Sequence, residues 1–183
     1  MTSLVGKWSF VTGASRGVGG YLAAGLAQLG SNLVLHSRDL AHTTALAKRL
    51  EGLGIKVVTV AAELADPSQV DSMLDDVQAS AHIDILYNNA AIQVPKQSVD
   101  WQTSVEDLRQ SLEVNLISLI RICDRLAPPL LAKGWGQIVL PDLRTPTLAK
   151  RQANGPGKST LIHVVADQTR PDREEIVVAG GPS

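Results

Sequence analysis

The chain has 183 residues, and 17 lysines and arginines stand against 18 aspartates and glutamates, which gives a formal charge of −1 at pH 7. This length suits one domain with a buried core, and the near-zero charge argues against nucleic acid or a membrane surface as a partner. The single cysteine, Cys123, excludes an internal disulfide, and no Cys or His residues stand at metal-clip spacing. We therefore expect a cytoplasmic protein with no metal site.

Short apolar runs alternate with longer segments of helical period, a rhythm typical of a parallel sheet flanked by helices. The predicted strands are Trp8–Val11, Asn32–His36, Lys56–Ala61, Ile83–Asn88, Gln137–Leu140 and Ile176–Ala179. The predicted helices are Val18–Leu29, Leu40–Leu50, Pro67–Ser80, Val105–Leu126 and Lys158–Ala166. Pro128 and Pro129 should end the fourth helix. These elements predict one doubly wound α/β domain over residues 1–183, with about six parallel strands and helices on both sheet faces.

Two stretches of unusual composition are interpreted within this domain. Residues 17–37 carry no formal charge, but five glycines and several polar side chains interrupt them, so they predict a helix and a strand rather than a membrane span. Five of the nine prolines follow Leu140, and residues 141–157 are predicted to form an irregular loop. The first residues show no pattern of a secretory signal.

The first predicted strand leads directly into a glycine-rich turn and a helix. Gly13 allows a tight turn, Gly17 lets the backbone approach a pyrophosphate, and Gly19 lets the helix pack against the strand. The helix N-terminus adds free N–H groups and a positive dipole end. An alternative is that these glycines only punctuate the turn. The predicted phosphate-binding residues are Thr12, Gly13, Ser15, Arg16, Gly17, Val18 and Gly19.

The segment Thr12–Gly19 matches the form Thr-Gly-x-x-x-Gly-x-Gly, by which the chain resembles the short-chain dehydrogenase/reductase family. Asn88-Asn89-Ala90-Ala91 is similar to the family's Asn-Asn-Ala-Gly element, with Ala91 in place of glycine, and Asn115 is similar to the family's helix asparagine. The resemblance covers about residues 5 to 140. It implies a Rossmann fold, a nicotinamide dinucleotide as cofactor, and cofactor contacts at Asn89, Ala90 and Ala91.

The residues after the second predicted strand bear on which dinucleotide binds. An acid at this place would bind a ribose 2′-hydroxyl, whereas arginine accepts a 2′-phosphate. Arg16 and Arg38 can converge on one phosphate and Ser37 can add a hydroxyl, so we expect NADP, while Asp39 leaves NAD as the less favoured choice. The resemblance further implies an adenine contact at Glu63, with Leu64 beside it and Asp66 as an alternative.

The resemblance implies a catalytic Tyr-x-x-x-Lys motif, in which the tyrosine supplies a proton to the developing alkoxide. Lys158 is similar to the lysine of this motif, but the tyrosine position is occupied by Asn154. The only tyrosines of the chain are Tyr21 and Tyr87, both far upstream. An amide cannot donate a proton and ionise again at ordinary pH. Lys158 would still hold the nicotinamide ribose.

The other expected catalytic groups are also incomplete. Leu143 occupies the position of the family's serine, so Asn115 and Lys158 are the two matched catalytic residues. Residues 154–160 are also similar to the phosphate loop of ATP-binding transport proteins, but Gln152 replaces a required glycine. Lys158 could equally be an ordinary lysine at a helix start.

Two functions follow as expectations. The first is an NADP-dependent oxidoreductase that interconverts alcohols and carbonyls, and the second is a catalytically silent relative or a truncated product. From the sequence up to Ser183 we also expect the family's substrate-covering helix and last strand to be absent. The resemblance also implies a homo-oligomer formed through the helix at residues 105–126, whose apolar stripe could equally face its own sheet.

Overall fold

A computed structural model describes residues 3–93, 104–140 and 175–179. The strands are β1 Trp8–Val11, β2 Asn32–Ser37, β3 Val57–Ala61, β4 Ile85–Tyr87, β5 Trp135–Val139 and β6 Glu175–Ala179. The helices are α1 Val18–Gln28, α2 Ala41–Glu51, α3 Pro67–Ser80, α4 Val105–Leu112 and α5 Ser118–Lys133. A π-helical turn, Glu113–Ile117, joins α4 to α5. The predicted helix at Lys158–Ala166 and the predicted loop at 141–157 lie outside the described residues.

The sheet has the strand order β3-β2-β1-β4-β5-β6, and β1 to β5 run parallel. The expectation of a sixth parallel strand is wrong, because β6 pairs with β5 in the antiparallel sense and places Glu175 opposite Val139. The start of β6 therefore lies beside the carboxyl end of β5. A parallel β6 would instead require a crossover to the opposite edge.

Helices cover both faces of the sheet, which confirms the doubly wound α/β fold. On one face, Phe10 and Leu86 of the strands pack with buried side chains of α3 and α5. On the other face, Leu33 and Ile85 pack with side chains of α1 and α2. Consecutive residues of a strand point to opposite faces, so strands covered on both sides are apolar throughout.

The expectation that Pro128 and Pro129 end the long helix is wrong, since α5 continues through both to Lys133. Each proline removes one backbone hydrogen bond. Packing compensates for this loss, because Leu130 is fully buried, and a Cβ added at Gly136 would lie 2.5 Å from its Cδ2. The helix ends instead at Gly134, which adopts a left-handed conformation with φ of 71°.

The π-helical turn interrupts the predicted helix at residues 105–126. The apolar side chains before the turn and after it differ in burial. Val105, Leu108 and Leu112 of α4 are exposed. Leu119 and Ile122 of α5 are buried, and Ile122 belongs to the core cluster that contains Leu86 of the sheet. The stripe therefore faces its own sheet only in its second half.

Candidate functional site

The candidate site is a cleft of about 360 Å³ at the edge of the sheet where the parallel strands end. It lies beside the boundary between β1 and β4, where the strand order reverses direction, and ligands of open α/β sheets bind at such points. The lining residues are Gly13, Ser15, Arg16, His36, Ser37, Arg38, His42, Glu63, Leu64, Asn89, Ala90, Ala91, Ile92 and Val114. Most of the predicted cofactor residues therefore meet in one place.

The glycine loop between β1 and α1 is fastened to the segment that follows β4. Thr12 Oγ1 accepts the Ala90 amide at 3.0 Å, and Asn89 Nδ2 donates to the carbonyls of Thr12 and Gly13 at 3.0 and 3.2 Å. Gly13 has a φ of +67°, and a Cβ there would lie 2.9 Å from Ala90 Cα. The two family-like elements thus fix one another by direct contact.

The other two glycines of the loop have different roles. A Cβ on Gly19 would lie 2.2 Å from the Gly13 carbonyl oxygen and 2.6 Å from Asn89 Nδ2, so this position requires glycine for packing. Gly17 has a φ of +59° and open space around its missing side chain. Its place is at the N-cap of α1. Gly17 therefore leaves room for a ligand above the helix N-terminus.

The backbone amides of residues 15–20 donate no hydrogen bond of ordinary geometry to an acceptor in the described part of the chain. The amides of Gly13 and Ala14 donate to His36, and the next amide with an acceptor in the described part of the chain is that of Tyr21, which donates to the Gly17 carbonyl. Four of the predicted phosphate-binding residues belong to this turn but do not line the cleft itself, namely Thr12, Gly17, Val18 and Gly19. Such an array of N–H groups at a helix N-terminus is suited to an anion.

Two guanidinium groups stand at the cleft beside these amides. Arg16 and Arg38 are exposed, and neither forms an ion pair with a described carboxylate. Ser37 Oγ donates to the Asp39 carbonyl at 2.6 Å, so its hydroxyl proton is already used. Asp39 Oδ1 accepts the Ala41 amide at 2.9 Å at the start of α2. One oxygen of the Asp39 carboxylate therefore binds the start of α2.

Glu63 and Asp66, the two candidates for an adenine contact, have different surroundings. Glu63 lines the cleft next to the buried Leu64. The Asp66 carboxylate caps α3 and accepts the amides of Ser68 and Gln69 at 2.9 and 3.3 Å. Hydrogen bonds, first of all from the Ser68 side chain, lower the pKa of Asp66 to about 2. Asp66 is therefore a helix cap rather than part of the cleft.

Asn115 lies in the π-helical turn and holds the segment after β4. Its Oδ1 accepts the Ile92 amide at 2.9 Å, while its Nδ2 donates to the Ile92 carbonyl at 2.8 Å and to Ser111 Oγ at 3.1 Å. The amide group is thus engaged in positioning the backbone. The other predicted catalytic position, Lys158, lies outside the described residues, as do Asn154 and Leu143.

Four cleft residues were not among the predicted site residues. Ile92 and Val114 extend the wall formed by the segment after β4, and His42 belongs to α2. His36 lies near the carboxyl end of β2. A signal was present, because side chains at the carboxyl ends of parallel strands face the ligand crevice.

No group of three or more His, Cys, Asp or Glu side chains within residues 3–93, 104–140 and 175–179 is arranged to hold a metal ion. None of the helices formed by these residues is long and apolar enough to span a membrane.

Comparison with known proteins decides the family. The family model of short chain dehydrogenases matches residues 7–140. The chain belongs to the short-chain dehydrogenase family. The match ends just past β5, at the boundary of the described segment, and it includes the glycine loop, both asparagines after β4 and the π-helical turn.

Three relatives illustrate the likeness. The NADPH-dependent aldehyde reductase-like protein of Arabidopsis thaliana chloroplasts is 32% identical over 149 residues, which are 75% of this chain and 55% of the relative. Two solved structures have TM-scores of 0.70 at 30% identity, each covering 76% of this chain and 53% of the other. They are a 3-oxoacyl-(acyl-carrier-protein) reductase of Agrobacterium tumefaciens with NADP bound and the L-sorbose reductase of Gluconobacter frateurii with NADPH and L-sorbose. The chain spans about half the length of these three relatives.

Proposed function

We propose that the chain binds NADP(H) at the cleft and acts as an oxidoreductase on an alcohol or carbonyl substrate. The observation that carries the proposal is the row of free amides at residues 15–20 beside the cleft. Such a row suits a pyrophosphate, because a helix N-terminus presents donors and a positive dipole to it. The open space at Gly17 leaves room for the phosphates, so the residues present fit the cofactor.

The charges around the cleft support NADP over NAD. Arg16 and Arg38 provide two guanidinium groups without protein carboxylate partners in the described segments, and arginine matches phosphate oxygens with its planar fork. The Asp39 carboxylate, the group that could bind a 2′-hydroxyl, accepts the Ala41 amide through one of its two oxygens. NADP and NADPH are also the nucleotides bound in the two solved relatives described above.

The chain's own groups are proposed to bind and orient rather than to react. When bound, the nicotinamide gives or takes the hydride of the oxidoreduction. The amides of residues 15–20 hold the phosphates, and Asn115 keeps the backbone at Ile92 in place. Lys158 is proposed to hold the nicotinamide ribose.

A catalytically silent nucleotide-binding protein is the second candidate, and the tyrosines favour it. Tyr21 is exposed on α1 and Tyr87 lies in β4, and neither lines the cleft. These are the only tyrosines of the chain. Absence of a general acid costs about 10²- to 10⁴-fold in rate. A protein of this kind would regulate or pair with an active relative.

Self-association and location complete the proposal. The exposed apolar side chains of α4, among them Val105 and Leu108, support a homo-oligomer formed through residues 105–126, because apolar surface is stabilised by burial between subunits. Light scattering on the full chain measures this. The single cysteine supports a reducing, cytoplasmic setting.

Calorimetry with NADPH and NADH tests the cofactor proposal. We expect NADPH to bind the full chain at least about tenfold more tightly than NADH, because one charge-assisted contact to a phosphate contributes about 1.5 kcal/mol or more. Arg16→Ala and Arg38→Ala should each weaken NADPH about tenfold and leave NADH binding unchanged. Arg49→Ala, an exposed arginine of α2, is the control.

The outcomes separate the candidates. Failure of the folded protein to bind either nucleotide would refute the site, and equal affinities would refute the NADP preference. With binding established, oxidation of NADPH by a panel of aldehydes and ketones supports the enzyme. No turnover across the panel supports the silent relative.

A further inference from the structure

His36 joins the glycine loop to the end of β3. Its side chain is 2% exposed and lies between these two walls of the cleft. The Gly13 amide donates to Nδ1 at 3.2 Å, and Nε2 lies 3.0 Å from the carbonyl oxygen of Ala62. The residues joined in this way are 23 and 26 positions away along the chain. The imidazole is therefore a cross-link within the site.

The two partners determine the protonation state of the ring. The Gly13 amide can only donate, so Nδ1 must be the unprotonated nitrogen. The Ala62 carbonyl can only accept, so Nε2 must carry the proton. Only the neutral imidazole with its proton on Nε2 satisfies both contacts. A second proton, on Nδ1, would point at the N–H of Gly13, and two donors facing each other cannot form a hydrogen bond.

His36 also controls where the free amides of the loop begin. Its backbone carbonyl accepts the Ala14 amide at 2.8 Å, directly after its ring accepts the Gly13 amide. The Gly13 carbonyl is held from the opposite side by Asn89. Both peptide groups of Gly13 are thus restrained, and one of the two restraints depends on a titratable ring. The amides of residues 15–20 come directly after this restrained segment, so the restraint at Gly13 helps to set their position.

We propose that His36 is a positioning residue of the cofactor site, whose neutral ring holds the glycine loop in its phosphate-binding conformation and whose protonation releases that loop. This inference rests on the proposed binding of NADP(H). It makes the affinity for the dinucleotide fall as the pH falls, through a group whose two ring nitrogens are both bonded to the protein backbone.

The surroundings set the direction of the pH effect. Burial lowers the pKa of His36 below its ordinary value of 6.5, while the hydrogen bond to Ala62 and the charge of Glu63 act in the opposite direction. The ring therefore stays neutral near pH 7. Below pH 6.5, His36 takes up a proton more readily in the unfolded protein or the released loop than in the tethered state. The tethered state therefore loses stability as the pH falls from 6.5 to the lower pKa of the folded ring. The charged or titratable groups on the neighbouring loop and strand ends are Arg16, Arg38, Asp39, His42 and Glu63.

Two amide substitutions separate the halves of the cross-link. His36→Asn places an amide oxygen near the position of Nδ1 and keeps an acceptor for Gly13, whereas His36→Gln places an amide nitrogen near Nε2 and keeps the donor to Ala62. Titration with NADP⁺ at pH 7.5 should show His36→Asn within about threefold of the wild type and His36→Gln about tenfold weaker. His82→Asn, an exposed histidine at the opposite edge of the sheet, is the matched control.

The pH series gives the decisive contrast. Between pH 7.5 and 5.5 the wild type and His82→Asn should lose several-fold more affinity than His36→Asn. The 2′-phosphate of the ligand titrates alike in all of them, so the difference reports on His36. Equal losses in the wild type and His36→Asn would overturn the proposal.

A second readout needs no ligand and no variant. Nitrogen NMR of the wild type at pH 7.5 should find Nδ1 of His36 unprotonated and Nε2 protonated. Hydrogen exchange at the Gly13 amide should be slow, and its protection relative to an unstructured amide at the same pH should decrease as pH falls. A ring protonated on Nδ1 would also overturn the proposal, even where both variants fail to fold. If the NMR pattern is found but the wild type binds neither NADPH nor NADP⁺, the proposed function fails and the tether stands.

Discussion

Polar groups are paired at one end of the parallel strands, and a row of backbone amides at the other end is unpaired within the described residues. At the edge where the parallel strands begin, the buried Asp84 accepts the Trp8 amide through Oδ2 at 2.9 Å and pairs with Lys7 and Lys133 through Oδ1. Lys7 also lies 4.1 Å from the ring centre of Trp135. At the edge where the strands end, the amides of residues 15–20 have no acceptor in the described part of the chain.

The contrast shows how stability and binding are divided between the two edges. Paired groups at the first edge join the starts of β1, β4 and β5, because Asp84 also accepts the Gln137 amide through its carbonyl at 3.0 Å. The donors at the second edge form no hydrogen bond within the described residues, so they are available to the dinucleotide that we propose. Substitutions at the first edge should therefore change stability alone, and those at the second should change nucleotide binding.

The largest effect is expected for Gly19→Ala. The new Cβ would overlap the Gly13 carbonyl and Asn89 Nδ2, so the helix must move away from the loop. We expect a loss of about 3 kcal/mol in the free energy of unfolding and no measurable NADPH binding. Urea unfolding and calorimetry measure the two effects.

Gly25→Ala is the matched control for this change. It lies in the same helix with nothing within 4 Å of the added Cβ. A gain of about 0.5–1 kcal/mol is expected from its higher helix propensity. If Gly19→Ala behaved like Gly25→Ala, close packing at the glycine loop would not be the reason for glycine there.

Asp84→Ala should have the next largest effect, at the opposite edge. It removes the acceptor of the Trp8 amide and the shared partner of two lysines, and we expect a loss of about 2 kcal/mol in unfolding free energy. The NADPH affinity of the folded protein should stay unchanged. Asp76→Ala, at an exposed position of α3, should change stability by no more than about 0.5 kcal/mol. A fall in affinity with Asp84→Ala would contradict the separation of the two edges.

Asn115→Ala should have the smallest effect of the three and should change both properties. Loss of the hydrogen bonds to Ile92 and Ser111 is expected to cost about 1.5 kcal/mol in unfolding free energy and to weaken NADPH binding about threefold. Ser111→Ala removes only one of these contacts, so about 0.5 kcal/mol is expected. Equal losses in the two variants would show that the bonds to Ile92 contribute little.

Local patterns explain which parts of the fold could be predicted. The bounds of β1 and α3 were predicted correctly, because an apolar run and a helix start with Pro67 after the Asp66 cap are signals between chain neighbours. The glycine loop was likewise recognisable from spacing alone. The continuation of α5 past Pro128 and Pro129 was not, because it depends on the packing of Leu130 next to Gly136.

The site shows the same division. Thr12, Gly13 and Asn89 could be chosen from motifs, yet their mutual hydrogen bonds join residues about 76 positions apart. Glu63 and Asp66 both follow β3 closely, and the structure shows which of the two carboxylates lines the cleft. The double contact of His36 was missed for the same reason, because its partners lie on two other strand ends.

Residue order alone was therefore enough for the parallel α/β architecture, the phosphate-binding turn and the family, since each is written in periods and spacings shorter than one helix or loop. Folding in three dimensions assigned the antiparallel direction of β6, the free state of the amides at residues 15–20 and the tautomer of His36. Hydrogen-bond partners across a sheet are distant in the chain, so pairing becomes visible only when the strands stand side by side.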